Sequence, residues 1–73
     1  MGPWRIEVLG WAGLGAASQK SVLMLVGELG GEWWGGGQAE FRSSWPAFEF
    51  IARLRWEGRH CRIVDAVGAP VLH

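Results

Sequence analysis

Residues 47–68 read AFEFIARLRWEGRHCRIVDAVG, and the period assigned to this stretch decides the fold. Phe48, Phe50, Ala52, Leu54 and Trp56 occupy every second position, separated by Glu49, Ile51, Arg53, Arg55 and Glu57. Alternation of this kind is the signature of a strand with one buried face. A second apolar run, Cys61 to Val67, follows Gly58, which suits a turn, so the stretch predicts a β-hairpin over 47–67. Its register puts Phe48, Phe50, Leu54, Trp56, Cys61, Ile63 and Val67 on one face. Ile51, Arg53, Arg55, Glu57, His60, Arg62 and Val64 then share the other, and a one-residue slip would mix the two sets.

Outward from this segment the pattern is less regular. Trp4, Ile6 and Val8 alternate with Arg5 and Glu7, which predicts a half-buried strand over Trp4–Leu9. Ser18–Leu29 places Val22, Leu25, Val26 and Leu29 at helical spacing, with Ser18 as N-cap and Gly30-Gly31 as the C-terminal stop. The competing reading takes SVLMLV (21–26) as a strand, because Gly27 costs a helix about 1 kcal/mol. Residues 30–38 carry two glycine clusters around Glu32-Trp33-Trp34 and are expected to form a loop. Ala39–Arg42 reads as a short strand, Ser44-Trp45-Pro46 as a break, Gly68-Ala69-Pro70 as a turn and Val71–His73 as an edge strand. The expected architecture is a single small α+β domain over residues 1–73, one helix packed on an antiparallel sheet. The alternative is an all-β meander or small barrel. The stretch RLRWEGRHCRIVDAVG (53–68) resembles the closing hairpin of NTF2-like domains. That resemblance implies an antiparallel pair and carries no functional residue with it.

At 73 residues the chain is short for a self-sufficient core, and small domains compensate with disulfides, metals, dense packing or association. Cys61 is the only cysteine, which excludes an intrachain disulfide, and with His60 and His73 it makes a poor zinc set. Packing and self-association remain. Six tryptophans are spread along the chain, and each can bury about 150–250 Å². A core this small cannot readily enclose all of them, so some are expected at the surface or in an interface. Seven basic residues balance seven acidic ones, which disfavours a nucleic-acid partner. No span is apolar enough for a membrane helix, and no basic leader precedes an apolar core. A cytoplasmic, soluble chain is the expectation.

Several short motifs suggest chemistry. GWAGLGAASQKS (10–21) looks like a phosphate loop, but Gln19 and Leu14 stand where its two glycines are required. Gly13-Leu14-Gly15-Ala16-Ala17-Ser18 is close to a dinucleotide fingerprint, yet the second parallel strand with its acidic end is missing. Neighbouring strand residues face opposite ways, so His60 and Cys61 cannot form a nucleophile–base pair. Arg53, Arg55, Arg62 and His60 are the candidate anion or ligand patch, since arginine's planar fork suits carboxylate and phosphate. Asp65 sits among apolar neighbours and needs a partner. Trp33 and Trp34 are the candidate interface residues. No catalytic, cofactor or metal set emerges, so the reading leans to a non-enzymatic, self-associating interaction protein, a dimer or higher homo-oligomer. The alternative is a small-ligand or anion-binding protein, or a small enzyme, whose site is completed at a subunit interface.

Overall fold

The computed structural model describes residues 3–66, with the side chains of Asp65 and Ala66 left aside. The expected turn at Gly68–Pro70, the edge strand at Val71–His73 and the position of Val67 lie outside the described residues. The α+β class holds. Two helices pack on a four-stranded antiparallel sheet that does not close into a barrel. The elements are β1 (Trp4–Val8), α1 (Ala16–Glu28), β2 (Glu32–Gly35), β3 (Gln38–Phe41), α2 (Ser44–Trp56) and β4 (Cys61–Ala66), with one 3-10 turn at Trp11–Gly13. The strand order is β2-β3-β1-β4. β3 is antiparallel to both β1 and β2, so β1 and β2 run parallel with β3 between them. By the same reasoning β3 and β4 run parallel with β1 between them. Two interlocked split β-α-β units result, the ferredoxin-like plan.

The hairpin expected over 47–67 does not form. Residues 44–56 are helical, and only the second run, from Cys61, is a strand. The chain therefore has two helices rather than one, and the resemblance to an NTF2-like hairpin falls with the hairpin. Ala47, Phe50 and Leu54 are buried and Ile51 is half-buried, which is an i, i+3, i+4, i+7 face. Pro46 lies in the first turn, where its missing N–H costs nothing, so Ser44-Trp45-Pro46 begins a helix instead of breaking the chain. Gly58 ends the helix instead of turning a hairpin. It adopts φ 79°, its N–H bonds the Arg55 carbonyl at 2.9 Å, and the Arg59 N–H bonds the Leu54 carbonyl at 2.9 Å. This is a Schellman stop, and α1 ends the same way through Gly30 and Gly31, whose N–H groups bond Gly27 and Val26 carbonyls.

The Ser18–Leu29 helix is present as α1, which starts two residues earlier with Gly15 at the N-cap position. Val22, Leu25 and Val26 are buried as the periodicity requires. The loop expected over 30–38 is largely a strand pair. β2 takes Glu32–Gly35, β3 begins at Gln38, and only the glycines between them turn the chain.

One face of the sheet carries Ile6, Val8, Ala39 and Phe41, and both helices cover it to form a single core. Trp4, Trp11, Leu14, Leu29, Trp33, Ile51 and Cys61 pack around its margin. Among the described residues no helix covers the other face, and there Arg5, Glu7 and Glu40 project from the alternate positions.

The β2–β3 turn closes against the start of the 3-10 turn at a position that admits only glycine. Gly37 has φ 83°, and a Cβ there would lie 2.8 Å from Trp11 Cβ and 3.0 Å from the Val8 carbonyl oxygen. Gly37→Ala is expected to lower unfolding free energy by at least about 1–3 kcal/mol. Gly27, inside α1 with nothing within 4 Å of its would-be Cβ, behaves oppositely: Gly27→Ala should raise stability by about 0.5–1 kcal/mol. Urea unfolding of both variants checks the pair of signs.

Candidate functional site

The four residues of the expected anion patch do not converge. Arg53 and Arg55 are two positions apart on α2, and at 3.6 residues per turn they point roughly 160° away from each other. Arg53 lines a groove of about 270 Å³ between α1 and α2, shared with Lys20, Glu28 and Glu57 over Val22, Leu25 and Leu54. Arg55 lies close enough to Cys61 for its charge to act on the thiol. Arg62 belongs to the helix-free sheet face, where its Nε donates to Glu7 Oε1 at 2.9 Å. His60 is exposed in the link before β4, and its carbonyl accepts the Leu9 N–H at 2.9 Å.

The helix-free face pairs its charges internally. Arg5 Nη2 donates to Glu40 Oε1 at 3.2 Å, and the same guanidinium lies 4.2 Å above the Trp34 ring. Such surface pairs contribute about 0–1 kcal/mol each, but they leave little potential to attract an anion. The groove between the helices is likewise balanced, with Lys20 and Arg53 against Glu28 and Glu57. Lys20 sits well inside α1 rather than at its first turn, away from where a phosphate-loop lysine is needed. Among the described residues no three His, Cys, Asp or Glu side chains cluster as metal ligands, and no helix is long and apolar enough to cross a membrane.

Trp33 and Trp34 are sent to opposite faces of the sheet. Trp33 opposes Ala39 on the covered face and packs on Trp11 with ring centroids 4.5 Å apart. Trp34 is the extra residue of a bulge in β2 and lies with Arg5 on the other face. Successive strand residues face opposite ways, so the two indoles cannot act as one anchor.

The aromatic residues that do gather are on α2. Trp45, Phe48 and Trp56 are 69%, 51% and 89% exposed. Together with exposed Ala52 they are spaced i, i+3, i+7 and i+11, one stripe along the helix and opposite to the buried Ala47, Phe50 and Leu54. Phe48 also meets Trp4 edge-on, with centroids 5.2 Å apart. α2 is therefore apolar on two sides. This stripe was hidden in the sequence because Phe50 and Leu54 interleave with Phe48, Ala52 and Trp56 at every second position. The helical spacing of each set was nevertheless there to be read. Comparison with protein-family models, curated proteins and solved structures finds no match to this chain.

Cys61 is half-buried at the margin of the core. Burial pushes its thiol pKa up, and the nearby Arg55 charge offsets this only in part. The folded state thus favours the neutral thiol. That contribution to stability is full below the ordinary thiol range and fades as pH rises through it towards the folded value. A thiolate is the reactive species, so an aromatic disulfide reagent at pH 8 should label folded Cys61 on the order of tenfold more slowly than the urea-unfolded chain. Equal rates would show a thiol free of the core.

Proposed function

We propose that the protein is a non-enzymatic interaction protein that works in a self-associated form, docking through the outer face of α2. The observation that carries this reading is the second apolar stripe, Trp45, Phe48, Ala52 and Trp56, on a helix whose inner side is already occupied by the core. Three further features support it. Among the described residues the core has ten buried hydrophobic residues, a small number for a domain with a single cysteine. Two of the six tryptophans contribute nothing to that core and stand on the stripe. The chain has zero net charge, which leaves little repulsion between copies.

The interface therefore moves from the Trp33–Trp34 pair to Trp45 and Trp56. From about 150–250 Å² per full aromatic residue, the fractional exposures give the three aromatic residues roughly 300–500 Å² of uncovered surface. That matches the largest patches found on monomers, about 300–600 Å², which are often functional. Trp45→Ala with Trp56→Ala is expected to shift the chain towards monomer in sedimentation velocity. It should also remove any dependence of the melting temperature on protein concentration, while the amide spectrum stays dispersed. Trp33→Ala separates packing from docking: it should destabilise the fold at every concentration. A wild-type chain that stays monomeric at high micromolar concentration refutes the reading.

A further inference from the structure

If the outer face of α2 is the docking face, the charges beside its stripe specify how a second copy sits on it. We infer that two copies pair α2 against α2 in antiparallel fashion across a two-fold axis; this rests on the reading above. The stripe runs from Trp45 to Trp56, about 16 Å at 1.5 Å per residue, and its midpoint falls between residues 50 and 51, with Ala52 the stripe residue nearest to it. A small residue at the centre with indoles at both ends allows the helices to approach at about 8–10 Å. Each terminal indole then covers the other end of the partner helix, Trp45 against the partner's Trp56.

Glu49 and Arg53 decide the direction. Both lie on the same flank of the stripe, one turn apart, at nearly equal distances on either side of its midpoint. Neither has an ion-pair partner among the described residues. A two-fold axis across the helices keeps each flank on its own side and reverses the order along the axis. Glu49 is thereby set opposite the partner's Arg53, and Arg53 opposite the partner's Glu49. A parallel pairing instead brings Arg53 to the flank that carries the partner's Arg55 at a similar level, a like-charge contact, and it aligns the two helix dipoles. The same arithmetic accounts for the size. The aromatic residues supply roughly 300–500 Å² per copy, and the flanking Glu49, Arg53 and Arg55 side chains extend this towards the about 800 Å² per partner of a stable interface.

The pairing has a test that a general apolar stickiness does not pass. Glu49→Arg places arginine against arginine across the two-fold, and Arg53→Glu places glutamate against glutamate. Each single variant of the full chain should raise the dimer Kd by at least about tenfold in low salt. An equimolar mixture of the two variants should restore association, because each Arg of one then faces a Glu of the other at both symmetry-related positions. Sedimentation velocity on each variant and on the mixture reads this directly, with amide dispersion as the check of folding. Unchanged Kd in the single variants, or a mixture no tighter than its components, overturns the antiparallel pairing. In that case a Trp56→Ala variant that still weakens association keeps the docking face and rejects only its geometry. A wild type that stays monomeric at high micromolar concentration overturns both.

Discussion

The contact on which the rest of this structure depends is Phe50 of α2 against Phe41 of β3, with ring centroids 5.2 Å apart. Both rings are fully buried, and they tie the second helix to the centre of the sheet. Ala47 and Leu54, one turn to either side, follow Phe50 inward. Large aromatic pairs bring the greatest apolar burial per residue that a small core has at its disposal. Once Phe50 is seated, the rotation of α2 about its axis is set, because the helical repeat leaves no freedom to turn one side chain inward without fixing the others.

That rotation has a functional consequence. With Phe50 and Leu54 inward, Trp45 and Trp56 must face away from the sheet, while Phe48 reaches its margin at Trp4. The chain has no further element among its described residues to lay over them. A larger domain could add a layer; this one spends both helices on a single sheet face. The other sheet face solves its exposure differently, with Arg5–Glu40 and Arg62–Glu7 pairs and a guanidinium over Trp34. One surface is therefore polar and internally paired, while the surface on α2 is apolar and, apart from the Phe48–Trp4 contact, uncovered. The contrast between them is why the interaction reading rests on α2 and not on the sheet.

The two helix ends show how one residue type serves different readings. Gly30 was legible as a C-terminal stop because Val22, Leu25 and Val26 before it held a clear helical period. Gly58 performs the same task with the same hydrogen bonds, yet it follows a run whose alternation fits a strand, and so it suggests a hairpin turn. Phe50 and Leu54 are four apart, as are Phe48, Ala52 and Trp56. Offset by two, the sets merge into a period of two. A helix that is apolar on opposite sides and a strand that is apolar on one side can share the same pattern, and only Ala47 and Ile51 break the tie.

The sequence by itself favoured the α+β class and the helix ending at Gly30 over an all-β alternative, and it carried the strand at Trp4–Val8 and the surplus of tryptophan over any core that 73 residues could readily build. Those are local or compositional properties: periods of single-faced elements, the φ preference of glycine, and the ratio of apolar bulk to chain length. Tertiary structure decided the rest. It made 44–56 a helix, because only there can Ala47, Phe50, Ile51 and Leu54 all reach one sheet face. It made 32–35 a strand paired with β3, and strand alternation then parted Trp33 from Trp34. It scattered Arg53, Arg55, Arg62 and His60 over separate surfaces, because residues near in sequence lie on a helix, a link and a strand. Which tryptophans stay uncovered follows from which side of α2 the core claims, and that choice is made by Phe41, a residue on another element.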